Sequence, residues 1–486
     1  MKKLLLIMLA SLFAFAAAGC SEKTETSEKN EDGSTTIRFV MKDENPSNPA
    51  SVAYFEALEK GLKNDEKLNV KFELVEMPQG NYAEKLNLLL LSGDIPDMIY
   101  FQGGDQQIAD QDLLEDLTPH LEKSKYLKDS LEPWNKKRLE NYPYLLWVKP
   151  LSQKTPVIRG DWFEKMETSK ALAADPTIDN YYNFFKELKT NPPGGEGKPA
   201  YAFTAAGDLE ELNAIFNMSF GITSSWLNSG GKFEYYKVSN QEKEKLSFYQ
   251  KLYKEGLLDP GYITKEWDTK EKAFYDGEAG VIVGTAGKVI DIYNGKMMQT
   301  NGENTGVKVL PPAKGEGQGF GATDVTKEAR GVAISSQSDK KELAFKILDY
   351  LASPKGQMID RLGFEGEHYK VEDGKIDLTN TYYEQWFARF WEPSEFKPEM
   401  PLEKPLLGEA AEESLKMVNE FYQEDNLFIM PEEYIANWDA MENLYKEYAT
   451  DIITGKRPLE DFDAFVKEWN AAGGKEITEY ANKQLK

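Results

Sequence analysis

The side chains whose types and spacing could do chemistry are carboxylates, tryptophans and one arginine. Asp43-Glu44-Asn45 follows a strand-like run, Thr36 to Met41, and Asp105 follows Gly103-Gly104 at the end of another, Asp97 to Phe101. Glu365 and Glu367 flank Gly366. Two carboxylates can cleave a glycosidic bond, but among 82 Asp and Glu chance pairs are inevitable, and a solvated turn explains Glu365-Gly366-Glu367 equally well. Trp162 adjoins Arg159 and Asp161, Trp226 lies in GITSSWLNSGG, Trp267 follows Gly261-Tyr262, and Trp391 precedes a Pro-rich segment. Phe320 sits between two glycines. Such rings, beside planar polar groups, can hold the apolar face and the hydroxyls of a sugar ring. Packing is the competing role for each loop tryptophan, and an ordinary turn for Gly319-Phe320-Gly321. Arg159 stays open between ligand contact and a structural ion pair. Asp161 is assigned to capping the helix that Phe163 begins. Trp438 and Trp469 fall on helical apolar stripes and are assigned to the core.

Other chemistries find no support. There is no G-x-S-x-G elbow, and Gly284-Thr285-Ala286-Gly287-Lys288 has the wrong spacing for a phosphate loop, with Val289 where Ser or Thr would hold magnesium. With His120 and His368 the only histidines and Cys20 the only cysteine, disulfide frameworks, thiolate metal sites and His-based triads fall away. No cofactor and no metal is implied. The net charge of −24 repels phosphate backbones, so nucleic acid is not an expected partner. It also leans any glycan ligand toward neutral sugars, unless a local basic cluster overrides it.

The elements that must position these residues read as an alternation. The apolar run Leu86 to Leu91 is halted by Ser92-Gly93-Asp94, and Pro96 forces the chain beyond it to be extended. Asp97 to Phe101 is then a buried strand opening into Gly103-Gly104-Asp105. Before it come a strand at Thr36 to Met41, a helix with Phe55, Leu58 and Leu62 on one face, and a strand at Asn69 to Met77. That order, β-α-β-α-β, implies a parallel sheet with helices on both faces, whose ligands sit beyond the carboxyl ends of its strands. Asp43, Glu44, Asn45 and Asp105 share that crevice by topology. Lys2-Lys3 and the run Leu4 to Ala18 form a secretory leader, and its loss makes the net charge two units more negative. Ser21 to Ser34 is polar and charged and reads as a tether. Late in the chain, Ala411, Leu415, Val418 and Tyr422 form one helical stripe. Ile435, Trp438, Met441, Tyr445, Tyr448 and Ile452 form another, ended by Gly455.

Several segments carry a family resemblance. IRGDWFEKM (Ile158 to Met166), SGDIPDMIYF, LGFEGEHY with Asp373-Gly374-Lys375, and ITGKRPLEDFDAFVKEWNAAGGKEITEYAN (Ile453 to Asn482) resemble signatures of family 1 extracellular solute-binding lipoproteins of carbohydrate ABC importers. Together they cover nearly the whole chain. Ala17-Ala18-Gly19-Cys20 resembles a lipobox with Ala17 in place of the usual leucine, which implies cleavage before Cys20 and a lipid anchor on it. The resemblance implies a two-lobed α/β fold of the type II periplasmic-binding-protein kind, each lobe a mostly parallel sheet flanked by helices, with extra C-terminal helices on the second lobe. It implies residues 36–157 plus 284–330 as the N-terminal lobe and 158–283 plus 331–486 as the C-terminal lobe. The crossings would lie near Thr155 to Arg159, Gly280 to Gly284 and Gly331 to Ile334. A monomeric receptor on the outer face of the membrane would hand a carbohydrate to permease subunits; the alternatives are another solute such as a peptide, presentation to a sensor kinase, or a surface glycoside-active enzyme. Relatives among alginate-binding receptors carry an acidic calcium loop after the DW helix. Here that stretch is Asn191 to Pro199, which keeps only Glu196 as a carboxylate, too few for calcium.

Overall fold

The computed structural model describes residues 29–77, 82–195, 197–323, 329–384, 390–393, 395–426, 428, 430–431 and 434–485. The leader, Cys20, most of the tether and Glu196 lie outside the described residues. The tether was expected to run to Ser34, but the fold begins sooner. Asp32 accepts hydrogen bonds from the amide and the hydroxyl of Ser34 at 3.0 and 2.6 Å, and Ser34 is buried.

Two principal sheets are built from β1 (Thr35–Val40), β2 (Val70–Leu74), β3 (Met98–Gln102), β4 (Lys154–Arg159), β5 (Tyr201–Phe203), β6 (Ala279–Thr285), β7 (Val307–Val309) and β8 (Arg330–Ile334). The first has the order β8-β3-β1-β2, with β1 parallel to β2 and β3, and β8 antiparallel to β3. The second has the order β5-β6-β4-β7; β5 runs parallel to β6, while β4 runs antiparallel to both its neighbours.

The expected β-α-β-α-β opening is present. Helix α1 (Pro49–Asp65) starts where the Asn48 side chain accepts from the Ala50 amide, with proline at its first position, and buries Tyr54, Phe55, Leu58 and Leu62 at helical spacing. Helix α2 (Tyr82–Leu91) turns only Leu86 and Leu90 of its leucine run inward, leaving Leu88 and Leu91 exposed. It stops at Gly93, whose φ of +89° is the left-handed conformation that glycine adopts at no steric cost. Asp97 ties the start of β3 to its surroundings, accepting from the Arg38 amide at 2.8 Å and the Ser338 hydroxyl at 2.6 Å.

In the second lobe, α3 (Glu210–Phe216), α4 (Asn240–Lys254), α5 (Trp267–Tyr275) and α6 (Lys288–Asn301) surround the sheet. Helices α7 (Lys341–Leu351) and α8 (Pro354–Leu362) return to the first lobe, where Phe345, Leu348 and Leu351 join the core of Phe39, Tyr54 and Leu58. The expected lobe boundaries therefore need correction. Residues through Val309 stay in the second sheet because β6 and β7 both pair with β4, and β8 with α7 and α8 belongs to the first lobe. No crossing occurs at Gly280 to Gly284 or at Thr155 to Arg159, since each lies wholly within the second sheet. The chain changes lobe between Val148 and Lys154, and again between Leu310 and Arg330. It does so a third time between Trp391 and Gly408, whose amide donates to Asp291 on α6.

Helix α9 (Glu409–Phe421) buries Ala411 and Val418 of its expected stripe. In α10 (Ile435–Ile453), Met441, Tyr445, Tyr448 and Ile452 enter the second-lobe core, together with Trp469 at the end of α11 (Phe462–Trp469). A buried polar link is among those that hold this layer. The fully buried Glu242 and Lys245 of α4 lie 2.8 Å apart, and the Tyr445 hydroxyl of α10 donates to Glu242 at 2.5 Å. Lys245→Met strands a buried carboxylate and is expected to cost about 3 kcal/mol. Urea unfolding tests it, with the double variant Lys245→Met/Glu242→Leu recovering most of the loss; an unchanged midpoint in the single variant contradicts the assignment.

Candidate binding cleft

A cleft of about 540 Å³ opens between the two sheets. Its first-lobe wall is the turn after β1 (Met41 to Glu44), Tyr100 and Gln102 of β3, Trp147, Arg330 at the start of β8, and Phe390 with Glu392. Its second-lobe wall is Lys154 at the start of β4, Thr285 and Ala286 at the end of β6, and Lys288 with Val289 in the first turn of α6. The crossing residues Lys149, Pro150, Ser152 and Gln153 form its base. The site thus lies beyond the carboxyl ends of β1, β3 and β6, where open α/β sheets bind ligands.

Strand alternation sets the first wall. Phe101 is fully buried, whereas Tyr100 and Gln102 on either side of it reach the cleft. Trp147 is flanked by two guanidinium groups, Arg138 at 5.6 Å and Arg330 at 5.8 Å from its ring. Its indole nitrogen is buried without a hydrogen-bond partner among the described residues. A buried donor gains free energy when a ligand or water accepts from it. Phe390 stacks on Phe39, 5.5 Å between ring centres. Lys149 and Glu392 form a close ion pair across the base.

On the second wall, the Lys288 ammonium donates to the Tyr382 carbonyl at 2.6 Å and lies 3.9 Å from that ring. Burial pulls Lys288 below the usual lysine range and pushes Asp291, one turn along α6, above the carboxylate range. Behind Lys154, the buried Lys270 pairs with Glu211 at 2.7 Å and donates to the Val283 carbonyl at 3.0 Å. Lys154 stands 4.0 Å from the same carboxylate.

The sequence-predicted residues divide. Asp43 and Glu44 line the cleft, Asp43 with a φ of +65°. Asn45 is used locally, accepting from the amide and hydroxyl of Ser47 at 2.9 and 2.6 Å. Asp105 is 2 % exposed and accepts from the Tyr144 hydroxyl at 2.9 Å; burial raises its carboxyl above the usual range. It does not reach the cleft. Arg159 sits at the far end of β4 from Lys154, roughly 17 Å along the strand. There it holds both oxygens of Asp161 at 3.0 Å and covers the Trp162 ring at 4.6 Å. The structural ion pair is the arrangement found, and Asp161 is not the cap: it lies within the first turn of Gly160–Lys165, after the cap residue Arg159.

Three tryptophans are packed away. Trp162 lies beneath Gly194, where a Cβ would come within 2.7 Å of its ring. Trp226 packs against Phe428 and Tyr235, and Trp391 is fully buried with its indole donating to the Leu348 carbonyl at 2.9 Å. Phe320 is buried against Phe421 beside the crossings. Glu365 is exposed on a turn outside the cleft. Trp267 alone of the tryptophans singled out is open, 42 % exposed at the start of α5, with the Lys270 ammonium 3.6 Å from its ring; it stands outside the cleft lining. Among the described residues no group of three or more His, Cys, Asp or Glu side chains is placed to hold a metal ion.

Sequence reasoning missed Tyr100, Gln102, Trp147, Arg330 and the Lys149–Glu392 pair. The readable signal was alternation about Phe101, and the short run Leu145 to Val148 just before Lys149-Pro150.

Comparison with known proteins places this geometry. The profile of the bacterial extracellular solute-binding protein family matches residues 45–358, well over half of the chain. Lipoprotein LipO of Bacillus subtilis is 21% identical over 501 residues, covering 98% of this chain and 97% of its own. The polygalacturonan/rhamnogalacturonan-binding protein YtcQ of the same organism is 22% identical over 523 residues, covering 100% and 99%. The structure of the Streptococcus pneumoniae ABC-transporter substrate-binding protein FusA in complex with kestose superposes with a TM-score of 0.64 at 18% identity, covering 93% of this chain and 98% of FusA.

Proposed function

The chain belongs to the bacterial extracellular solute-binding proteins, and from that membership we propose that it captures an oligosaccharide between its lobes and delivers it to an ABC permease. The observation that carries this reading is the cleft: Tyr100, Trp147 and Phe390 present aromatic surface beside Gln102, Gln153 and Arg330, the pairing that a ring with an apolar face and edge hydroxyls requires. The names of YtcQ and FusA, which record glycan ligands, support it. A ligand touching both walls favours the closed arrangement by its differential affinity for that state, and the permease reads the result. No bond of the ligand is broken. Cys20 carries the lipid that keeps the chain at the outer face of the membrane, a reading supported by the lipobox-like sequence and by the lipoprotein name of LipO.

Intrinsic tryptophan fluorescence of residues 22–486, titrated with plant and bacterial oligosaccharides, tests the assignment, because Trp147 lines the site. The expected result is a saturable shift with one glycan class, with the glycan recovered intact after hours. Silence across the panel from a cooperatively melting protein favours a non-sugar solute, and a consumed glycan favours an enzyme.

A further inference from the structure

Resting on the carbohydrate reading above, the charge of the cleft narrows the ligand. The whole chain carries −24, yet among the described residues five basic side chains line the cleft against three acidic ones. The Lys149–Glu392 pair cancels internally. Two of the remaining cations do not cancel in this way. Lys42 is exposed, with no carboxylate at ion-pair distance among the described residues. Lys154 must share Glu211 with Lys270, and Lys270 holds that carboxylate closely at 2.7 Å while Lys154 stays at 4.0 Å. Two ammonium groups on one carboxylate leave a positive charge, and the member facing the cleft is Lys154. Arg330, on the opposite wall, sets its planar guanidinium beside the Trp147 ring. The N-terminal turn of α6 adds the positive end of a helix dipole to the same space.

We infer that the cleft takes an acidic oligosaccharide, one whose uronate carboxylates meet Arg330 on the first-lobe wall and Lys154 on the second while a sugar ring lies on Trp147. The guanidinium fork matches a carboxylate with two parallel hydrogen bonds, whereas the lysine acts as a point charge. Neutral glycans were the expectation from net charge, but repulsion from distant acids is screened within about 8 Å at physiological salt. The charges within the cleft act inside that range and decide the sign. A ligand carboxylate at each wall also couples lobe closure to charge pairing, because neither wall alone offers both partners.

The test uses residues 22–486 in calorimetric titrations with trimers of galacturonate, mannuronate and glucuronate, their methyl esters, and neutral trimers. The expected result is that one uronate trimer binds at least about tenfold tighter than its own ester. Its affinity falls about tenfold between about 50 and about 300 mM NaCl, while that of the ester stays flat. Lys154→Gln and Arg330→Gln each weaken the acid by a larger factor than they weaken the ester, and Arg330→Lys restores part of the loss. An ester or neutral trimer that binds as tightly as every acid, or a salt-independent acid affinity, overturns the acidic assignment and leaves the carbohydrate reading standing. Failure of acids, esters and neutral glycans alike overturns both. Because the salt comparison is made on the unmutated chain, it decides the matter even if a variant folds poorly.

Discussion

Trp147→Ala is expected to weaken oligosaccharide binding about thirtyfold, or about 2 kcal/mol, the size of loss seen when a central aromatic anchor is truncated. Two contributions combine. The ring supplies the flat surface on which a sugar face lies, and the buried indole N–H, unpartnered among the described residues, can donate to a ligand or water. Trp147→Phe separates them, since it keeps the face and removes the donor, so an intermediate loss is expected. Arg138 also leans on this ring, and its guanidinium donates to the Leu145 carbonyl at 3.0 Å, so thermal melting must accompany the titration. An unaltered dissociation constant in a stably folded Trp147→Ala chain would remove Trp147 from the site.

Asp360→Ala is expected to cost about 4 kcal/mol of folding stability, from three buried donors left without an acceptor. The Asp360 side chain is fully buried and accepts from the Tyr54 hydroxyl at 2.8 Å, the Phe390 amide at 3.0 Å and the Trp391 amide at 2.8 Å. Removing it leaves three buried donors without an acceptor, each with its desolvation penalty. The variant also frees the segment that carries Phe390 and Glu392 into the cleft, so ligand affinity falls with stability. Asp360→Asn retains part of the acceptor capacity and should lose about half as much. Burial raises the carboxyl above its ordinary value in the folded state. The folded chain therefore holds that proton more tightly than the unfolded chain does. Asp360 contributes most when protonated, and the contribution shrinks as pH rises through the folded value. The gap between the parent and Asp360→Ala should accordingly widen on acidification. Denaturant midpoints at several pH values check both statements, and a loss below about 1 kcal/mol at every pH would contradict them.

Local pattern made much of the fold legible. Phe55, Leu58 and Leu62 recur at helical spacing, Pro96 forces an extended β3, and Met441, Tyr445, Tyr448 and Ile452 mark one face of α10; all are buried as the pattern requires. The lobe boundaries were not legible because they depend on which distant strand β4 accepts. Its partners Gly284 and Val309 lie far along the chain and look no different from first-lobe strand residues. The site was half legible for a similar reason. Topology located Asp43 and Glu44, which follow β1 directly. Loop tryptophans, by contrast, were chosen for lacking helical periodicity, and Trp162, Trp226 and Trp391 pack against neighbours that local sequence does not reveal. Trp391 illustrates the limit: its neighbours Phe390 and Glu392 reach the cleft while it points into the core.

The first and third crossings leave the first lobe side by side. Val148 bridges Trp391 in parallel, the Glu392 amide donates to the Val148 carbonyl at 2.7 Å, and the Lys149–Glu392 pair closes the next step. Lobe motion that parts these two crossings must break those contacts, so the gap opens or narrows with the two crossings moving together. A ligand then meets its contacts on the two walls in fixed register, which converts the spacing between them into a ruler for the guest.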